Sequence, residues 1–404
     1  MPLPLAKRPE KELVRPGGVG LDAAQVVAFR RRLMNWYRIH ARQLPWRGVN
    51  DPYRTWLSEI MLQQTRVAAV VDRYNEFLTK FPTIVALALA TEADVLASWS
   101  GLGYYRRARM LHRAAQFIVR EHAGKLPSTA LELRTLPGIG EYTSAAIASI
   151  AFGESIAVVD GNVERVLLRM TGRPEVATAA ARSFVQAQAS LLVPRRRANS
   201  DGNPAGDHNQ AMMELGATIC LPRAPLCPQC PVYGLCKTRG EHLTPARAPQ
   251  RSQPASYLLS LRKRGVITEV LLEKRPDHAS LMPGMYELPQ LPEAVVEGRE
   301  PLLRLRHAIT NTNYYVRVFA ARGPRDRTLR KTVPIAEGVL HWVRTSRLGS
   351  EPLTGLARKA LQRLNVMEVR TVRIDAQPDL PAEVHLPRPA GAADEWNDDD
   401  FDEL

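Results

Sequence analysis

The groups best suited to chemistry in this chain are two isolated carboxylates and one cluster of thiols. Glu59 lies in Trp56-Leu57-Ser58-Glu59-Ile60-Met61-Leu62-Gln63-Gln64-Thr65, with apolar residues on both sides. Apolar surroundings raise a carboxyl's pKa and can make it an acid near neutral pH. Periodicity alone favours a plainer placement, on the solvent face of an amphipathic helix. Asp160 precedes Gly161-Asn162 and a run in which Val163, Val166, Leu167 and Met170 keep helical spacing. That position suits a helix N-cap, a role that keeps the carboxylate ionised. All four cysteines fall between Cys220 and Cys236, spaced C-x6-C-x2-C-x5-C. Such clustering, in a chain whose start lacks a secretion signal, argues for a metal centre over disulfides. Zinc is one candidate, although its sites usually use two close pairs and only Cys227 and Cys230 form one here.

Two turns could approach a polyanion. Leu136-Pro137-Gly138-Ile139-Gly140 sets two glycines two apart before a helix, leaving N–H groups that suit a phosphate. Ser100-Gly101-Leu102-Gly103-Tyr104-Tyr105-Arg106-Arg107-Ala108-Arg109 joins a small turn to two aromatics and three arginines. It suits a wedge into a base stack with phosphate clamps beside it, and equally a helix start with tyrosine in the core. The formal charge is +14, and residues 21–240 hold 27 Lys+Arg against 17 Asp+Glu, a net of +10. This excess favours a polyanionic partner, though a solubility surface would also account for it. No apolar run is long enough to span a bilayer, so no membrane partner is expected.

The elements that must position these groups are mostly helices. After a polar arm over 1–20, Asp22 to Arg42 reads as a helix with Val26, Phe29, Leu33 and Trp36 on one face. A loop through Leu44-Pro45-Trp46-Arg47 leads to Asp51-Pro52, a helix-start signal. Tyr142 to Ala151, rich in Ala, Ser and Ile, reads as a tightly packed helix, followed by the apolar run Ile156 to Val159. Arg195, Arg196 and Arg197 form a basic loop. Residues 21–240 make one domain, and the Pro-rich stretch 241–256 reads as a linker. Beyond it the pattern alternates. Val266–Leu272, Leu303–Ile309 and Tyr314–Phe319 read as strands and Leu356–Leu364 as a helix, giving an α+β domain over 257–372. Residues 373–404 form a tail whose last dozen positions hold seven acids with Trp396 and Phe401.

Leu136 to Gly140 followed by a helix, with Val159-Asp160-Gly161-Asn162 further on, resembles the helix-hairpin-helix DNA glycosylases of the endonuclease III type. The resemblance is closest to the adenine DNA glycosylase family, strong over residues 22–237 and weaker over 257–365. It implies a mainly α N-terminal part with six-helix-barrel and iron–sulfur subdomains, plus an α+β Nudix-like C-terminal domain. On that likeness Glu59 is the general acid that protonates N7 of a flipped adenine, and Asp160 stabilises the oxocarbenium-like sugar. Tyr142 lines the sugar site and Asn162 helps position the acids and water. Bifunctional relatives place a lysine where Tyr142 stands. Tyrosine cannot be that amine nucleophile, so the likeness implies a monofunctional enzyme that leaves an abasic site.

The same resemblance assigns DNA contacts to Arg47, Gln63, Gln64, Leu102, Tyr104, Gly138 and Gly140, with Tyr104 and Gln63 as intercalators. Gln210, in Asn209-Gln210-Ala211-Met212-Met213-Glu214-Leu215-Gly216, pairs with an adenine edge. The cysteine spacing is that of the family's [4Fe-4S] cluster, ligated by Cys220, Cys227, Cys230 and Cys236 and holding a basic loop toward DNA. Leu281 to Pro289 resembles the domain that detects 8-oxoguanine, without a Glu-rich Nudix hydrolase signature. Residues 306–311 lie where the family has a loop of aromatic, Ser/Thr and His. Here Ile309 replaces the aromatic and Asn311 the His, while Thr310 keeps the hydroxyl. The implied partner is double-stranded DNA with adenine opposite 8-oxoguanine or guanine, bound by a monomer in the cytoplasm or nucleoid if the source is bacterial.

Overall fold

The computed structural model describes residues 20–49, 51–176, 178–195, 202–242, 250–309, 311–321 and 338–368. The arm before Gly20, the acidic tail, Arg196, Arg197 and Thr310 lie outside the described residues.

The N-terminal part is helical: α1 (Ala23–His40), α2 (Pro52–Leu62), α3 (Val67–Lys80), α4 (Ile84–Leu89), α5 (Glu92–Ser98), α6 (Arg106–Glu121), α7 (Ala130–Leu133), α8 (Glu141–Phe152), α9 (Gly161–Thr171), α10 (Ala179–Leu192) and α11 (Pro204–Thr218). Local signals set the boundaries. Asp22 closes a capping box with Gln25 at the start of α1, and its four expected apolar residues are all buried. Asp51 accepts from the N–H groups of Tyr53 and Arg54, with Pro52 in the first turn of α2. Both α8 and α9 end on glycines in the left-handed region, Gly153 and Gly172.

Two large apolar cores form between these helices, with a small cluster of Ala145, Ala146 and Val158 beside them. One collects α2 to α8 around Trp56, Tyr74, Phe77, Trp99 and Leu111. The other joins α1 to α9, α10 and α11 around Phe29, Leu33, Leu167 and Leu215, with Cys220, Cys230 and Cys236 against its edge. Helix α8 packs on α2 and on α11. Its Thr143, Ser144, Ala145, Ala146, Ala148 and Ser149 are all buried, because small residues let neighbouring backbones close in on every side.

The C-terminal part holds β1 (Arg251–Leu259), β2 (Leu261–Arg264), β3 (Ile267–Lys274), β4 (Tyr286–Glu287), β5 (Gln290–Leu291), α12 (Glu293–Val296), β6 (Leu303–Ile309), β7 (Thr312–Ala320), β8 (Val339–Arg344) and α13 (Gly355–Arg363). One sheet runs β5-β1-β7-β6, with β1 and β7 parallel. In the other, β3 pairs antiparallel with β2, β4 and β8. Helix α13 buries Leu356, Ala360 and Leu361 in the core these sheets share with it.

The linker expected to reach residue 256 is corrected here, because β1 begins at Arg251. The stretch is polar and contains Pro254, which masked it. Arg251 N–H faces β7, bonding Asn311 O, whereas Leu258 N–H faces β5, bonding Pro289 O. By this alternation Pro254 turns its missing donor away from β7, on a side where β5 pairs only Ser256 and Tyr257. No ladder bond is lost, so the proline is tolerated.

The two parts share side chains. Met285, just before β4, is fully buried in the first helical core. Tyr105 Oη donates to Leu353 O at 3.1 Å, Arg358 Nε donates to Ser100 Oγ at 2.6 Å, and the Arg109 guanidinium donates to Pro283 O.

Candidate active site and nucleic-acid cleft

Glu59 is carried by the buried face of α2 and is only 6% exposed, not on the solvent side that periodicity favoured. Its Oε2 accepts the Tyr142 hydroxyl at 2.7 Å, and Met213 Sδ lies 3.5 Å from that hydroxyl oxygen. Burial raises the Glu59 pKa to about 7; the Tyr142 bond opposes this, Asp160 adds to it and Arg47 opposes it again. Burial, then Glu59 and Asp160, hold the Tyr142 hydroxyl well above its ordinary range. The buried acid is therefore protonated about half the time at neutral pH beside a hydroxyl that keeps its proton.

Asp160 caps α9. One oxygen accepts Val163 N–H at 2.7 Å and the other accepts Asn162 Nδ2 at 2.8 Å. Asn162 in turn accepts from Arg165, which also bonds Cys220 O and Gly216 O. Buried Asn209 latches the approach to Asp160. Its amide donates to Ile156 O and Ser149 Oγ, both at 2.9 Å, and accepts Val158 N–H. A Cβ on Gly216 would lie 2.5 Å from Asn162 Cβ, so α11 reaches α9 only because that residue is glycine.

A third carboxylate, Glu214, organises the wall. It accepts a bidentate pair from Arg42 at 2.7 and 2.8 Å and one bond from Arg47 at 2.7 Å, with its side chain wholly buried. Burial alone would raise its pKa, but the two arginines outweigh it and hold it at about 2. Arg47, expected as a DNA contact, is committed to this pair and to the Tyr37 ring. Tyr37 donates to Gln210 Oε1 at 3.4 Å, leaving the half-buried Gln210 its amide N–H groups. Neither Glu214 nor Asn209 stood out in sequence, since each reads as an ordinary polar position on a helix.

A cleft of about 1060 Å³ opens between the helical and sheet parts. Gln63, Gln64, Tyr104 and Gly138 line one side; Ser280, Met282, His307 and Ile309 line the other. Glu59 and Asp160 do not line it, but Gln63, one turn beyond Glu59, donates to Thr143 Oγ1 next to Tyr142. Three non-glycine residues on this cleft have left-handed backbones: Gln64 (φ 55°), Tyr104 (φ 46°) and Met282 (φ 48°). Such conformations cost energy and persist where the surroundings hold them. Arg107 supplies much of that hold. Its guanidinium donates to Ile60 O, Met61 O, Gln63 O, Leu102 O and Gly103 O, joining the end of α2 to the Ser100–Tyr105 turn. Burial lowers its pKa to about 10.

Several expected contacts need revision. Arg107 is no phosphate clamp, because its two Nη groups are committed to carbonyls and to Thr65 Oγ1; Arg109 is likewise tied to Glu92 and Pro283. The Leu102 side chain is 4% exposed and belongs to the helical core, as burial demands of an apolar residue under a turn. Tyr104, by contrast, is 49% exposed and Gln64 is exposed, as a wedge requires. Gly138 (φ 74°) packs against Met110, and Gly140 is the N-cap of α8 with open space beyond its Cα. Asn311 is exposed in the turn between β6 and β7 and does not line the cleft.

Among the described residues no three His, Cys, Asp or Glu side chains converge as a single metal ion requires. The four cysteines nevertheless border one small pocket with Arg169 and Arg239. Arg169 Nη1 lies 3.4 Å from Cys220 Sγ, and Arg239 N–H donates to Cys236 Sγ at 3.4 Å. Four thiols with a guanidinium and an amide directed at sulfur are a donor set that fits a thiolate-held cluster.

Residues 57–186 match the model of the HhH-GPD superfamily base excision DNA repair protein. The chain is 44% identical over 254 residues to a human adenine DNA glycosylase, covering 59% of this chain and 45% of that protein. It is 38% identical over 241 residues to an adenine DNA glycosylase of Mycobacterium tuberculosis, covering 59% and 77%. A solved thermostable thymine-DNA glycosylase is 27% identical with a TM-score of 0.47, covering 54% of this chain and 97% of that one. The aligned region thus spans about half the length of the human relative.

Proposed function

Because the chain belongs to the adenine DNA glycosylases, within the HhH-GPD superfamily of base excision DNA repair proteins, we propose that it excises adenine mispaired with 8-oxoguanine or guanine in duplex DNA. The base must leave the stack before its glycosidic bond is accessible. Glu59, buried and close to half-protonated at neutral pH, donates a proton to N7 of the flipped adenine and makes it a better leaving group. Asp160 then faces the cationic sugar as a carboxylate held in place by Val163 N–H and Asn162. Water completes the hydrolysis. Tyr142 offers no amine for a Schiff base, so the strand stays intact and an abasic site remains.

One observation carries this reading: a buried, hydrogen-bonded acid stands beside a second carboxylate in a more polar setting, the pairing that glycoside cleavage requires. The sheet part is proposed as a Nudix-like domain that contacts the base opposite the adenine. Cys220, Cys227, Cys230 and Cys236 would hold a [4Fe-4S] cluster with Arg169 against Cys220. When bound, such a cluster cross-links the end of the helical part; Arg165 ties that loop to Asn162 through Cys220 O.

The test is single-turnover base release from duplexes with adenine opposite 8-oxoguanine, guanine or thymine. Fast adenine loss opposite 8-oxoguanine, abolished by Asp160→Asn and without strand cleavage before alkali, is the expected result. No adenine release from any duplex would overturn the assignment, and strand cleavage would overturn its monofunctional part.

A further inference from the structure

We propose that His307 is a specificity-determining residue that hydrogen-bonds 8-oxoguanine left opposite the excised adenine. The inference rests on the function proposed above. The cleft between the two parts carries the exposed Gln64 and Tyr104 on its helical side, and neither Glu59 nor Asp160 lines it. A base drawn out toward Glu59 therefore leaves its partner in the stack, facing the sheet side. There, apart from Ser280 and His307, the lining side chains are apolar.

His307 lies on β6, on the same face as buried Leu305 and opposite Tyr314 of β7. Its ring approaches the start of α13, with Cε1 and Nε2 3.5 and 3.7 Å from where a Cβ on Gly355 would lie. The imidazole is half-buried, yet it makes no hydrogen bond or ion pair with any other described residue. A half-buried polar ring on a ligand cleft, with no protein partner, is open to bond a ligand that displaces water from it. Burial, then the nearby Lys359, lowers its pKa, so the ring is neutral at physiological pH. A neutral imidazole carries one acceptor and one donor, whereas a cation could only donate and would prefer phosphate.

That chemistry separates the two purines. Guanine presents N7 as an acceptor. Its 8-oxo form carries a hydrogen on N7, which the unprotonated nitrogen of a neutral ring accepts, whereas guanine N7 offers that nitrogen no donor. The position also bears on Ile309 and Asn311. Asn311 does not line the cleft, and His307, two residues before Ile309, supplies an imidazole on the cleft side.

The experiment compares single-turnover adenine release opposite 8-oxoguanine and opposite guanine for the full-length protein, His307→Ala and His307→Gln. In His307→Ala the preference for 8-oxoguanine should fall about tenfold, the worth of one lost hydrogen bond, with release opposite guanine roughly unchanged. His307→Gln keeps an acceptor and a donor and should recover part of the preference. An unchanged ratio, or an equal fall on both duplexes in both variants, overturns the proposal, the second outcome marking a structural role. If His307→Ala does not fold, His307→Phe replaces it, with the same loss of preference expected. A parent protein silent on both duplexes would instead sink the adenine reading, and the inference with it.

Discussion

The acid role proposed for Glu59 requires a group buried enough to hold its proton and near enough to the base to give it up. Glu59 meets the first condition through a pKa raised to about 7 by burial, so base release should decline as pH rises through that value. A pH–rate profile under single-turnover conditions measures this directly. The Tyr142 hydroxyl works against burial by stabilising the carboxylate, so Tyr142→Phe should move the alkaline limb of that profile upward. Burial also affects folding. With its folded pKa above the unfolded one, Glu59 contributes stability below the ordinary carboxylate range and loses it as pH rises toward 7, by about 3 kcal/mol in all. Glu59→Gln should therefore match the parent in urea unfolding at acid pH, exceed its stability at pH 8, and release no adenine.

Between elements, the site depends on how α11 meets its neighbours. Glu214 ties α11 to Arg42 and Arg47, and removing its charge strands two guanidinium groups; Glu214→Gln should cost about 3 kcal/mol in chemical denaturation. Gly216→Ala forces a methyl against Asn162 and should cost roughly 1–3 kcal/mol while slowing base release, because Asn162 orients Asp160. These contacts explain what the sequence made legible. The caps at Asp51 and Asp160 were readable because a cap and the N–H groups it serves lie within a few residues. Strands β3, β6 and β7 were readable by alternation. The bonds from Glu214 to Arg42, from Asn209 to Ile156 and from Arg107 to Ile60 join residues far apart in sequence, and no local pattern announces them. Arg107 in particular imitates a phosphate clamp: the same guanidinium that suits an anion also suits a ring of carbonyls. Strand β1 was hidden by its proline, whose cost vanishes only on a side that sequence does not show.

At the scale of the whole molecule, the proposed function makes phosphate neutralisation by the +14 charge the expected driver of duplex binding. Affinity for undamaged duplex should fall by tenfold or more between 50 and 200 mM salt, as titrations with a labelled duplex would register. The helical and sheet parts are joined at Tyr105, Arg109 and Arg358, on or beside the turn that carries Tyr104. Met285 carries the connection deepest, since it sits in the core built by α2 to α8 although β1 to β3 intervene in the chain. During synthesis the helices leave the ribosome first, and their core waits with one seat empty until the loop before β4 emerges. Nascent chains arrested before that loop should be digested by protease faster than chains arrested beyond α13. Synthesis of the sheet part thus doubles as the last folding step of the helical part.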